Sequence, residues 1–145
     1  MTCLQSSTAL VLLMVLTGAA PQQQSSDANQ LEGTWDIVSM EQDGAKQTPE
    51  SAQLRLTGDT AAIRIAGNDT QKFRFKVDPS KNPKHLDWIV EIEAGKPIVQ
   101  EGIYKLKGDN LELHVAAAGK PRPKELQSKR GDTSSSMVLK RSQSK

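Results

Sequence analysis

The chain has 145 residues, a net charge of +2, 25 % charged residues and only 3 % aromatic ones. That is room for one domain with an aliphatic interior, and the small net charge sets nucleic-acid binding aside. The charge is unevenly spread: residues 120–145 carry eight Lys/Arg against two Asp/Glu, while residues 27–119 carry eleven against fifteen.

The chain opens on a targeting segment. Thr8 to Leu16, TALVLLMVL, is an apolar run of signal-peptide length and too short to span a bilayer. Thr17 and Ala19 then fit the small-x-small processing pattern, although residues 1–7 supply no Lys or Arg. Residues 1–20 therefore read as a signal peptide, and the product as exported, periplasmic or extracellular. Cys3, the single cysteine, precedes the apolar run, whereas lipoprotein processing needs a cysteine just after it. A soluble protein without a lipid anchor is expected. With Cys3 removed, no thiol remains for a disulfide, a thiolate metal site or a cysteine nucleophile. Residues 21–30, PQQQSSDANQ, are polar and are expected to form a disordered linker. The domain spans 31–141, and 142–145 is a tail.

Eight strand-like runs follow, over 33–40, 53–57, 61–66, 71–77, 85–92, 98–106, 110–116 and 136–141. Most alternate apolar and polar residues. In KFRFKV, Phe73, Phe75 and Val77 alternate with Lys72, Arg74 and Lys76, which places one face in a core and one in water. The runs are separated by Gly-Asp and Gly-Asn turns at 57–60, 66–69 and 107–110, where the chain needs positive φ. No stretch beyond the leader has helical period. The pattern predicts an all-β, antiparallel, eight-stranded meander that closes on itself and so hides its edges.

The first strand, LEGTWDIVSM, sets Gly33 two residues before Trp35. A glycine there allows a close approach, and the indole can plug one end of a barrel. If the first and last strands pair, Arg141 can lie over the Trp35 ring. This Gly-x-Trp with a late arginine resembles the lipocalin and calycin barrels, in which such residues close one end. LEGTWDIVSMEQDG, FKVDPSKNPKHLDW, GIYKLKGDNLELHVAAAGKPRPKEL and MVLKR together resemble a lipocalin-like domain family abundant in exported planctomycete proteins. That resemblance covers residues 31–141 and implies a β-barrel and export, with no activity. The family often carries a cysteine near the position of His114, which this chain lacks.

Candidate sites are few. His85 and His114 fall at polar-face positions and read as solvated, and no further ligands accompany them, so no metal site is expected. The loop DPSKNPKHLD displays Lys81, Lys84 and His85, a cationic rim whose plainer reading is a rigid connection. AGKPRPKEL alternates Lys120, Arg122 and Lys124 with prolines, so it should be extended with three cations displayed. It is the candidate surface for an anionic surface or protein partner, and its plainer reading is a solvated linker. Glu91, Glu93 and Asp87 face water and pair into no acid–base cleft. No nucleophile elbow or phosphate loop appears.

The interior remains. By parity Trp35, Ile37, Leu54, Leu56, Ile63, Ile65, Phe73, Phe75, Val77, Leu86, Trp88, Val90, Ile92, Ile98, Tyr104, Leu106, Leu111, Leu113, Val115, Met137 and Leu139 point inward. An eight-stranded barrel is wide enough to be filled by these or to hold one small ligand. The expected function is a non-catalytic, cofactor-free monomer that binds a small apolar molecule, with Phe73, Phe75, Trp88 and Tyr104 lining the pocket. The alternative is a filled barrel that acts as an interaction module through Lys120, Arg122 and Lys124.

Overall fold

The structure, a computed structural model, describes residues 24–93 and 95–143. The signal-peptide reading of residues 1–20 and Cys3 lie outside the described residues. Helix α1 (Gln24–Leu31) precedes strands β1 (Gly33–Gln42), β2 (Ala45–Gln47), β3 (Ala52–Thr57), β4 (Thr60–Ile65), β5 (Asn68–Asp78), β6 (Lys84–Val90), β7 (Ile98–Lys107), β8 (Asn110–Val115) and β9 (Ser135–Arg141). β1 and β3 to β9 form a closed eight-stranded antiparallel barrel in chain order. It is sealed where β1 pairs with β9, Trp35 opposite Arg141 and Ile37 opposite Leu139. This is the closed meander expected from the alternation, and it is consistent with the lipocalin-like barrel that the resemblance implies.

Alternation explains most of the core. Leu54 and Leu56, Phe75, Leu86 and Trp88, Leu111 and Leu113, and Leu139 are all buried on the inner face. The three glycine-bearing turns take positive φ at Gly58, Gly67 and Gly108. A bulge between Ile37 and Ser39 leaves Val38 exposed and switches the parity of β1. Beyond it Met40, not Ser39, faces the interior. Asp43 and Gly44, both at positive φ, then turn the chain into β2, which pairs with the last part of β1. Parity fails at the strand ends. Ile65, Ile92 and Ile98 are 49 %, 43 % and 38 % exposed, because they stand at hairpin tips beyond the last core layer.

Two departures shape the molecule. Residues 24–30, expected as disordered linker, form most of α1. An eight-residue helix is not stable alone. Here it is docked by Leu31, fully buried in the core, and by Asp27, whose carboxylate accepts from Lys84 and Tyr104. The second departure is the segment 116–134 between β8 and β9. It folds back as a strap over the outer face of the barrel and buries Ile103 and His114, which are cross-strand partners on that face.

Candidate functional site

The two ends of the barrel differ. At the first end, α1 and the start of β1 form a seal. The Trp35 indole N–H donates to Leu31 O at 2.8 Å. The Arg141 guanidinium lies 4.2 Å from the Trp35 ring and donates to Gln30 O (2.6 Å) and Glu32 O (3.0 Å), so it also caps the helix C-terminus. Gly33 has φ of +126°, and a Cβ there would stand 3.2 Å from Arg141 Nη1. The glycine thus leaves room for the stacked guanidinium. Gly33, Trp35 and Arg141 stand together as the sequence indicated.

Tyr104 belongs to this sealed end. It was expected to line a pocket, but its hydroxyl donates to Asp27 Oδ2 at 2.8 Å, and Lys84 Nζ reaches the same oxygen at 2.6 Å. Burial pushes the Tyr104 phenol well above its ordinary value, and the Asp27 carboxylate adds to this. At Asp27, burial acts to raise the pKa. The hydrogen bonds from Lys84 and Tyr104 and the Lys84 charge outweigh it and hold the carboxyl low. Lys84 is therefore no part of a free cationic rim.

The second end is open. It holds a cavity of about 620 Å³. Leu54, Trp88, Val115 and Met137, all buried, form its floor, with Met40, Ile63, Phe73 and Val90 around them. Phe73 meets Trp88 edge-on with ring centroids 4.6 Å apart. Phe75, in register opposite Trp88, meets the same indole at 6.1 Å from one layer deeper. It backs the wall and does not line it. Of the four expected pocket residues, the structure thus places Phe73 and Trp88 at the cavity, Phe75 behind it and Tyr104 at the far end. Sequence parity alone could not assign depth along the barrel. Gln42, Gln71, Gln100, Thr133 and Ser135 form the polar rim, and no motif in the sequence marks them as a group.

The basic strap is less open than its composition indicates. Arg122 does not display its charge. It donates to Asp87 Oδ1 and Gly102 O, both at 2.6 Å, and to Glu101 Oε1 at 3.2 Å, which pins the strap to β6 and β7. Lys120 and Lys124 stay exposed beside a groove of about 420 Å³. His114, expected in water, is buried beneath the strap. Its Nε2 lies 2.6 Å from Ser134 Oγ, and its Nδ1 meets Glu125 O. Ser134 Oγ in turn donates to Asp132 Oδ1 at 2.7 Å, and this bond, with the Ser134 and Lys129 amides, holds the Asp132 carboxyl low. These are the residue types of a hydrolase triad in the wrong order. The serine stands between imidazole and carboxylate, whereas nucleophile activation needs the imidazole between the other two. The line works as a clasp for the strap.

Among the described residues, no helix is long and apolar enough to cross a membrane. No family model, curated protein or solved structure matches the chain.

Proposed function

We propose that this chain is an exported, non-catalytic binding protein that takes one small, mostly apolar molecule into the open end of its barrel. The observation that carries this reading is the 620 Å³ cavity with its aromatic and aliphatic floor, opposite an end sealed by Trp35, Arg141 and α1. The volume falls in the usual range of small-molecule sites, as does the mixture of an apolar wall with a few polar groups. Likeness to lipocalin barrels supports a container and says nothing of its contents. The apolar run Thr8 to Leu16 supports export.

A second reading makes the strap an interaction surface for an anionic partner. Lys120 and Lys124 at the 420 Å³ groove favour it, but Arg122 is already committed to Asp87 and Glu101. Two exposed lysines add little affinity at physiological ionic strength, so the cavity carries the assignment.

The test is uptake of a neutral apolar fluorophore, N-phenylnaphthylamine, by the purified chain. Saturable one-site binding is expected. It should be lost in Phe73→Arg, which places a charge in the cavity, and kept when Lys120 and Lys124 are both changed to Ala. Absence of saturable uptake by the unaltered chain overturns the reading.

A further inference from the structure

The cavity is graded from floor to mouth. Its floor is buried and apolar, while Gln42, Gln71 and Thr133 are exposed and Gln100 and Ser135 half-buried. These five side chains come from four regions of the mouth: Gln42 on β1, Gln71 on β5, Gln100 on β7, and Ser135 at the start of β9 with Thr133 just before it. Gln42 and Ser135 are cross-strand partners, and Gln100 stands opposite Trp88. Among the described residues, no side-chain hydrogen bond holds the Gln42, Gln71 or Gln100 carboxamides to the rest of the protein. Each carboxamide can both donate and accept, as can the Ser135 hydroxyl, while Thr133 Oγ1 donates to Asp132 O at 2.8 Å and offers a ligand an acceptor. Charge is nearly missing from this ring. Among the described residues no carboxylate lines the cavity, and Lys72, the one cation they place there, has Asp69 Oδ2 3.4 Å from its Nζ.

We propose that the ligand is an uncharged amphiphile. This rests on the cavity being the binding site. The apolar body lies against Phe73 and Trp88, and a hydroxyl-, amide- or ester-bearing head sits among Gln42, Gln71, Gln100, Thr133 and Ser135. The reason is desolvation. A head group drawn into the mouth gives up water and must regain its hydrogen bonds from the rim. A neutral head regains them from four neutral partners that both donate and accept, and from Thr133 Oγ1, which accepts. A cationic head finds no carboxylate in the lining. An anionic head finds only Lys72, and must compete for it with Asp69. Charge is therefore selected against in both signs, while apolar length is accepted by the floor.

The experiment is calorimetric titration of the purified chain with three probes of one alkyl length: decanol, decanoate and decylammonium, at neutral pH and fixed salt. Decanol is expected to bind tightest, with each ion weaker by on the order of tenfold or more, the cost of partly desolvating a charge without a partner. Gln100→Glu should reverse the order in favour of decylammonium and leave decanol weaker. Equal binding of all three, or preference for either ion by the unaltered chain, overturns the neutral-head assignment and leaves the cavity as a binding site. No binding of any probe overturns both.

Discussion

Arg141 joins three parts of the sealed end. Its guanidinium stacks on Trp35, its N–H groups cap the end of α1, and its Nε lies 3.1 Å from Asp109 Oδ1. The aspartate contact is exposed and contributes little. The stack and the two carbonyl contacts face a buried indole and a helix terminus, where a planar, weakly hydrated cation is worth more. Arg141→Ala should therefore lower stability by on the order of 1–2 kcal/mol, a fall in thermal midpoint of about 4–8 °C. Arg141→Lys should recover little, since one ammonium cannot lie flat on the ring and reach both carbonyls. An unchanged midpoint in Arg141→Ala removes the stack from the account of stability. This contact was legible in advance because all its conditions are local or topological. Gly33 and Trp35 are two residues apart, and closure of the barrel brings the last strand beside the first.

Helix α1 shows the opposite case. QSSDANQL has no apolar period, and the side chains that dock it among the described residues are Leu31, in the core, and Asp27, whose partners lie on β6 and β7. Composition therefore read it as linker, and tertiary docking overrides that reading. The same limit hid His114. Alternation put it on the outer face correctly, but nothing in the pattern told that the strap would cover that face. The docking of α1 has a pH signature with two edges. Asp27 has a lowered folded pKa, so its contribution is full above the ordinary value of 3.8 and is lost as pH falls through the depressed one. The Tyr104 phenol has a raised folded pKa, so its contribution is full below the ordinary value of 10.0 and is lost as pH rises beyond it. Amide hydrogen exchange of Ala28 to Leu31 should show constant protection between those limits and a loss outside both. Tyr104→Phe should cost about 1 kcal/mol and abolish this group's alkaline edge while the acid edge stays. Protection that ignores both edges would show that the Asp27 cluster does not hold the helix.

At the scale of the whole molecule, the barrel divides stability from binding along its axis. The alternating strands made the closed sheet readable, because each parity assignment only has to choose a face. The cavity was less readable, because emptiness depends on depth. Phe73 and Tyr104 share a parity yet sit at opposite ends, and the bulge after Ile37 brings Met40 and Gln42 to the mouth against the parity of Trp35. The aromatic layer Phe73, Trp88 and Phe75 separates the two ends. Below it the interior is sealed by Trp35, Leu86, Tyr104 and Leu111, all buried. Above it the walls diverge, since β1 pairs with β3 only as far as Asp36 and Gln53 and then turns to β2. Substitutions at the two ends should therefore separate cleanly. Met40→Phe adds volume to the open end, where the cavity leaves room for it without strain, so it should hold or raise the thermal midpoint. It should also weaken uptake of N-phenylnaphthylamine by on the order of tenfold, through occupied space. Tyr104→Phe should do the reverse: a lower midpoint with an unchanged dissociation constant. If Met40→Phe lowers the midpoint and Tyr104→Phe weakens uptake, the barrel behaves as one packed interior, and the division of labour between its ends is wrong.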